Sequence, residues 1–147
     1  MVKVQFDDFD ATALGRQLCD GLSDVGAVAT FIGLVRDVSE KHNVKSLTLE
    51  HYPGMTEKSM QAIVDTAMSR WPVLRVIAVH RVGRLAIGDQ IVYVGVSSRH
   101  RKAAIEACEY VIDQLKSKAV IWKKEQTAEG EHWLLPTDED SHIADSY

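Results

Sequence analysis

Cysteine is scarce in this sequence, with only Cys19 and Cys108 among 147 residues and no CxxC pair. That scarcity excludes a disulfide framework and a zinc knuckle, and it fits a reducing compartment. The histidines lack the spacing of metal ligands, and the GxSxG, P-loop and GxGxxG motifs are missing. We therefore expect no metal ion and no cofactor.

Long apolar runs and an excess of positive charge are also missing. No window approaches the eighteen or so apolar residues that cross a bilayer, and the first residues lack the apolar core of a signal peptide. Lysine and arginine number 17 against 21 acidic residues, for a net charge of -4. This balance disfavours nucleic acid as a partner. We expect a cytoplasmic protein with no membrane role.

What the sequence does have is an ordinary globular composition, 46% hydrophobic and 26% charged. Its length suits one domain that buries about two-thirds of the chain's surface. No repeat or linker divides it, so we expect a single domain over 1–147, with a loose acidic tail at about 137–147.

Residue spacing predicts alternating strands and helices. Apolar runs and period-two alternation predict strands at Val2–Phe6, Ala27–Val35, Val44–Tyr52, Val73–His80, Gln90–Ser97 and Ala119–Gln126, with a short apolar run at His132–Leu135. Gly88-Asp89 predicts a hairpin between the fourth and fifth of these strands. Helical spacing predicts helices from the Asp10 cap to about Cys19, at Thr56–Arg70 and at Arg99–Lys118. The class is α+β.

The last predicted helix carries one apolar stripe. Its members recur at helical spacing and are Ile105, Cys108, Val111, Ile112 and Leu115. Cys108 is therefore expected in the core. Between the second and third strands, the polar segment Arg36–Asn43 has no periodicity and predicts a mobile loop.

Three cationic spots stand out against the acidic average. The first is Arg36, where a strand ends beside that loop; its forked donors suit a carboxylate or phosphate. A solvated or structurally paired arginine explains the residue equally simply, and that alternative stays open.

The second spot is the segment Ser97-Ser98-Arg99-His100-Arg101, at a strand-to-helix junction. A serine N-cap would leave helix N–H groups free, and the dipole and the three basic side chains would favour an anion there. Basic residues in the first turn of a helix interact unfavourably with the helix dipole unless an anion is bound there. The alternative is a solvated basic cap.

The third spot joins the end of the last helix to the following strand. The helix stripe ends at Leu115, directly before Lys116, and alternation puts Lys123 on the same strand face as Ile121 and Glu125. The two lysines could converge, attract an anion and polarise a carbonyl. The alternative is a helix end that favours cations, followed by a charged edge strand.

Helix length separates the second and third spots. His100 and Lys116 are sixteen residues apart, or roughly 24 Å along a straight helix at about 1.5 Å per residue. If both spots serve one small ligand, one must come from a second copy of the chain. That condition predicts a dimer with shared pockets.

At these residues the sequence resembles the large, catalytic subunit of molybdopterin synthase. The resemblance runs from about Gly26 to Trp133. Its specific motifs are Leu49-Glu50-His51-Tyr52-Pro53-Gly54-Met55, His80-Arg81-Val82-Gly83, His100-Arg101, Lys116 and Trp122-Lys123-Lys124-Glu125. It implies an α/β hammerhead fold with an additional antiparallel β-subdomain, mixed sheets and about three helices.

The resemblance also implies partners, an activity and a site. The partner is a small ubiquitin-like sulfur carrier whose C-terminal Gly-Gly thiocarboxylate enters the pocket, and a homodimer binds one carrier at each end of a heterotetramer. Two sulfurs pass to cyclic pyranopterin monophosphate, which gives the dithiolene of molybdopterin. The implied site residues are Arg36, His100, Arg101, Lys116, Lys123, Lys124 and Glu125, with Lys116 and Lys123 catalytic.

Two other functions are compatible with the same cationic residues. A non-catalytic dimeric docking protein for the ubiquitin-like tail would keep the groove without needing both the lysine pair and a phosphate grip. A hydrolase or cyclase acting on phosphate esters would need a metal site or an acid/base pair, which the sequence does not offer. The docking protein is the main alternative to the enzyme.

Overall fold

The computed structural model describes residues 1–37 and 44–134. In chain order, these residues form β1 (Val2–Gln5), α1 (Ala11–Gln17), β2 (Ala27–Leu34), β3 (Val44–His51), α2 (Met55–Arg70), β4 (Val73–Arg81), β5 (Gly83–Ala86), β6 (Gln90–Ser98), α3 (Arg101–Lys118), β7 (Ile121–Thr127) and β8 (Gly130–Leu134). The α+β class is confirmed. Most of the segment expected to be a mobile loop, and the acidic tail, lie outside the described residues.

The first sheet has the strand order β1-β4-β6-β2. β1 lies parallel to β4, whereas β6 is antiparallel to both of its neighbours, β4 and β2. The predicted pairing of the fourth and fifth strands is therefore confirmed. Their connection is not a tight hairpin, however, because β5 lies between them in the chain and joins the other sheet. A four-residue strand offers too short an alternation to be detected in the sequence.

The second sheet is antiparallel throughout, in the order β5-β3-β7-β8. β3 pairs with β7, with Leu49 opposite Lys123, and β7 turns back into β8, with Lys123 opposite Leu134. Gly130 begins β8 at a φ of 120°, a value that side-chain-bearing residues rarely adopt, so glycine suits the tight turn between β7 and β8.

The helices agree with the sequence patterns except at their ends. Asp10 caps α1 as predicted, and its carboxylate accepts the Ala13 amide at 3.1 Å. The predicted serine cap of α3 is wrong. His100 occupies the N-cap position, while Ser98 is buried in β6 and its hydroxyl donates to the Pro72 carbonyl at 3.0 Å. No helix in the described ranges is long and apolar enough to span a bilayer.

Three apolar clusters hold the layers together. The largest packs α2 and α3 on one face of the first sheet. A smaller cluster packs α1 on its other face. The third joins the two sheets and contains Val35, Leu47, Leu49, Val82 and Leu85.

The predicted stripe of α3 is only partly correct. Cys108, Val111 and Leu115 are buried as expected, but Ile105 is 56% exposed. The helix instead buries alanines between its larger side chains, including Ala104 and Ala107. Small residues let α3 approach the sheet closely, and Ile105 is left at the surface.

Candidate functional site

Arg36 lies at one end of the first sheet. β2 runs antiparallel to β6 with Leu34 opposite Gln90, and the Val35 amide donates to the Asp89 carbonyl at 2.9 Å. Arg36 follows directly and is exposed. It therefore marks the end of the sheet where β2 ends and β6 begins, called the Arg36 end below.

Lys116 lies at the same end because α3 follows β6 in the chain and runs back along it. The Cys108 thiol contacts the Val94 carbonyl at 3.8 Å, halfway along both elements. The last turn of α3 therefore approaches the Arg36 end, and Lys116 is exposed there.

Lys123 is linked to the Arg36 end by the third apolar cluster. Leu49 and Leu134, its two cross-strand neighbours, both pack in or against that cluster together with Val35. Directly opposite residues share a face of an antiparallel sheet, so the half-buried Lys123 side chain points to the inner side. Glu125, on the same face, is 3% exposed. Both side chains have further interaction partners.

His100 and Arg101 lie at the opposite end of the sheet. Both are exposed at the start of α3, where β6 ends and β2 begins. At about 3.3 Å per strand residue, the two ends of β2 are roughly 25 Å apart. One chain therefore groups Arg36, Lys116 and Lys123 at one end and sets His100 and Arg101 at the other.

A close backbone approach fixes this second end, called the His100 end below. The Gly26 amide donates to the Ser98 carbonyl at 3.0 Å, and a Cβ on Gly26 would lie only 2.0 Å from the Arg99 carbonyl oxygen. The Arg99 guanidinium is paired with Asp24 at 2.9 Å, on an exposed surface. Arg99 is thus engaged by the protein, whereas His100 and Arg101 are exposed beside it.

Lys124 lies on the outer face of β7, opposite to that of Lys123. Its ammonium is 3.4 Å from the Glu131 carboxylate and 5.0 Å from the centroid of the Trp133 ring. Lys124 thus joins β7 to β8 on a face away from the third apolar cluster. Its substrate-binding role stays a prediction.

The geometry explains why neither cysteine carries the chemistry. Burial raises the pKa of the Cys108 thiol to about 11, so it stays protonated near neutral pH. Cys19 packs against the α1 cluster on the other face of the sheet. Within residues 1–37 and 44–134, no three His, Cys, Asp or Glu side chains are grouped to hold a metal ion.

Comparison with known proteins identifies this arrangement. The family model described as MoaE protein matches residues 4–118. The chain belongs to the MoaE family. It is 51% identical over 143 residues to the molybdopterin synthase catalytic subunit of Vibrio cholerae, covering 97% of this chain and 95% of that relative.

Solved structures share the fold. The molybdopterin biosynthesis MoaE protein from Burkholderia ambifaria matches with a TM-score of 0.85 and 44% identity, over 99% of this chain and 97% of that one. A chain of the protein-protein complex of subunits 1 and 2 of molybdopterin-converting factor from Helicobacter pylori matches with a TM-score of 0.73 and 22% identity, over 90% of this chain and 88% of that one. The confirmed membership gives no role to individual residues.

His80 belongs to one of the motifs of the resemblance but was given no role in the site, and it lies near Lys123. It is buried at the end of β4, and its ring contacts the Arg81 carbonyl through Nδ1 at 2.8 Å. A carbonyl only accepts, so Nδ1 carries the proton. Burial, and then the nearby Lys123 charge, lower the pKa of His80 to about 4, while the Arg81 hydrogen bond opposes that shift. His80 is therefore neutral near neutral pH, close to the Lys123 ammonium.

We expect stability to depend on His80 below pH 6.5. Because the folded pKa lies below the ordinary value of 6.5, the unfolded chain binds the proton first as pH falls. The His80 contribution to the free energy of unfolding should be constant above about pH 7.5 and lower by about 2 kcal/mol at pH 5. Urea titrations at several pH values measure it. His80→Asn should flatten the slope; equal slopes for wild type and His80→Asn would contradict this assignment.

Proposed function

We propose that this chain is the catalytic subunit of a molybdopterin synthase. It moves two sulfurs from the C-terminal thiocarboxylate of a small ubiquitin-like carrier to cyclic pyranopterin monophosphate, which forms the dithiolene of molybdopterin. The MoaE family and the name of the Vibrio cholerae relative support the activity. The observation that carries the proposal is the placement of two lysines and an arginine around one end of the sheet, without a reactive thiol.

The carrier supplies the sulfur that this chain does not. Burial keeps Cys108 protonated, and Cys19 faces the α1 side. A thiocarboxylate brings its own nucleophilic sulfur and needs no cysteine in the acceptor. The Helicobacter pylori complex of the two converting-factor subunits supports the same partnership here. Because both cysteines are unbridged, we place the reaction in the reducing cytoplasm.

Lys116 and Lys123 act on the thiocarboxylate. The sulfur forms a bond to an electrophilic carbon of the pterin side chain and the C–O bond at that carbon breaks; the oxygen leaves as water or, at the carbon that carries the cyclic phosphate, stays on the phosphate as its ring opens. The carrier is then joined to the substrate as a thioester. Water attacks the acyl carbon, the C–S bond breaks, and a carboxylate leaves on the carrier while sulfur stays on the pterin. Negative charge develops on oxygen in this hydrolysis, and fixed ammonium groups stabilise it. A second loaded carrier repeats the step.

Arginine side chains hold the phosphate. Arg36 presents five donors in a fixed fork at the same end as the lysines, and Arg101 offers the same chemistry beside His100 at the other end. Glu125 is buried on the same face of β7 as Lys123 and orients the part of the pocket that Lys123 lines. Lys124 supports this edge through its contacts with Glu131 and Trp133.

The 25 Å between the two ends calls for a second copy of the chain. In a two-fold dimer the same surface contacts itself in reverse. If the axis passes near the middle of β2, the Arg36 end of one copy lies beside the His100 end of the other. Each pocket then takes Arg36, Lys116 and Lys123 from one chain and His100 and Arg101 from its partner.

The surface along β2 and α3 suits such a contact. β2 is an edge strand of the described sheet, and Val28, Ile32 and Leu34 are 43%, 38% and 55% exposed. An open groove of about 460 Å³ lies between β2 and α3, with Phe31 and Ile105 in its lining. An apolar strip at an open edge is an association surface.

Removal of either lysine should slow sulfur transfer. In single-turnover assays with thiocarboxylated carrier and cyclic pterin, we expect Lys116→Ala and Lys123→Ala to lose about a hundredfold or more in rate, the scale of a lost oxyanion contact. Lys3→Ala, an exposed lysine on β1, is the matched control and should react normally. Near-normal product from both lysine variants would favour the docking protein over the enzyme.

Mixed dimers test whether the pocket is shared. Lys116→Ala and His100→Ala/Arg101→Ala chains are each expected to be inactive as pure dimers. A dimer with one of each has one fully intact pocket if the pocket is shared. Since half of randomly mixed dimers are of this kind, unfolding and refolding together should restore about one quarter of wild-type activity. No recovery, with mixed dimers verified by mass, would mean that each pocket is built within one chain.

A charge placed in the apolar strip should separate the copies. We expect Ile32→Asp and Ile105→Glu to be monomers by light scattering, with product formation lost, because an unpaired carboxylate would be buried at the contact. Met68→Asp, on α2 at 45% exposure, is the control and should stay dimeric. Dimers of unchanged mass from both strip variants would place the interface elsewhere.

A further inference from the structure

Two hydroxyl groups of α2 hold the corner between the two proposed catalytic lysines. The corner consists of Ala119 and Val120, which connect the end of α3 to the start of β7. Lys116 lies four residues before Val120, and Lys123 three residues after it. The direction in which the chain leaves this corner therefore sets the position of one lysine relative to the other.

Both backbone groups of Val120 bond to side chains of α2. The Thr56 hydroxyl donates to the Val120 carbonyl at 2.5 Å, and the Val120 amide donates to the Ser59 hydroxyl at 3.3 Å. These contacts join residues more than sixty positions apart in the chain. At the corner itself, the Ile121 amide donates to the Ala119 carbonyl at 2.9 Å.

The Thr56 side chain has no exposed surface and uses its hydroxyl in both directions. It accepts the Tyr52 amide at 3.0 Å while donating to Val120. The Ser59 hydroxyl in turn donates to the Thr56 carbonyl at 2.8 Å. A buried hydroxyl that both donates and accepts holds its two partners in place. A buried backbone group left without a hydrogen bond would lower the stability of the fold.

Helix formation alone does not explain a buried threonine at this position. The N-cap of α2 is Gly54, whose amide bonds to the Glu57 carboxylate at 2.5 Å, so this end of the helix is capped by other groups. β-branched residues are not favoured inside helices. An apolar residue of the same shape would lose the long-range bond to Val120 together with the local bond from the Tyr52 amide.

We propose that Thr56 and Ser59 are positioning residues for the sulfur-transfer reaction. Through Val120 they set the angle between α3 and β7, and hence the spacing of the Lys116 and Lys123 ammonium groups around the thiocarboxylate. This inference rests on the proposed function, since it assigns the lysines their roles there. Small displacements of reacting groups reduce rates strongly while substrate binding changes less.

Isosteric substitution separates positioning from packing. Thr56→Val keeps the shape and removes the hydroxyl, whereas Thr56→Ser keeps the hydroxyl. We expect Thr56→Val to slow single-turnover sulfur transfer about tenfold at saturating carrier, with carrier affinity within about twofold of wild type. Thr56→Ser should keep the rate within about twofold of wild type. Ser59→Ala, which loses the longer bond, should fall between them.

Thr66→Val is the matched control on the same helix. Its hydroxyl donates to the Ala62 carbonyl within α2, at 2.9 Å, and does not contact the corner. Circular dichroism at the assay temperature gives the folded fraction, by which each rate is corrected. If Thr56→Val does not fold, the comparison of Ser59→Ala with Thr66→Val decides the question.

The outcomes distinguish this inference from the proposed function. The positioning role is overturned if the corrected rate of Thr56→Val equals that of Thr66→Val. If Thr56→Val does not fold, a corrected rate of Ser59→Ala equal to that of Thr66→Val overturns it. So does a Thr56→Ser variant as slow as Thr56→Val. Lysine variants that react normally overturn the proposed function instead, whatever the threonine variants do.

Discussion

The return of α3 along β6 is the contact on which the rest of the structure depends. The helix starts where the strand ends and packs back over it through Ala104, Ala107, Cys108 and Val111. Because small side chains alternate with larger ones, the helix sits close to the sheet and stays parallel to the strand axis. An eighteen-residue helix on a nine-residue strand spans the whole sheet. The fold thereby holds its two groups of cations apart at a fixed distance.

In the proposed function, that distance is what lets two copies of the chain bring both basic groups to one pocket. An arginine such as Arg101 at the start of a helix is an unfavourable neighbour for the dipole in an isolated chain. In the proposed pocket, its positive charge would be neutralised by the phosphate and the thiocarboxylate. On this proposal, the sign of the local charge follows from the ligands and not from the needs of the helix.

Most of the fold could be predicted from the sequence because its main elements are long and regular. Strand-like runs indicated β2, β4 and β6, period-two alternation indicated β3, and helical spacing indicated α2 and α3. The errors have local causes. β5 is too short to show a periodic pattern. The Ser98 hydroxyl donates to the Pro72 carbonyl and does not cap α3. Ile105 lies just outside the helix face on which the alanines are buried.

The candidate site could be predicted only in part, for a different reason. Cationic side chains are visible in a sequence, so Arg36, His100, Lys116 and Lys123 could be named. Thr56 and Ser59 form long-range hydrogen bonds to the Val120 backbone, and His80 is affected by the charge of Lys123 on another strand. No local sequence pattern marks such contacts. Arg99 shows the converse limit. Its positive charge is visible in the sequence, but the ion pair with Asp24 that engages it is visible only in the structure.

The close approach at Gly26, just before β2, has a consequence outside its own chain. Its backbone is pressed against the Arg99 carbonyl so tightly that one added carbon would have to push the chain aside just before His100. In the proposed dimer, that displacement would reach the neighbouring pocket, which His100 and Arg101 are proposed to complete. An alanine here would be a local steric defect in one molecule and a chemical defect in the other.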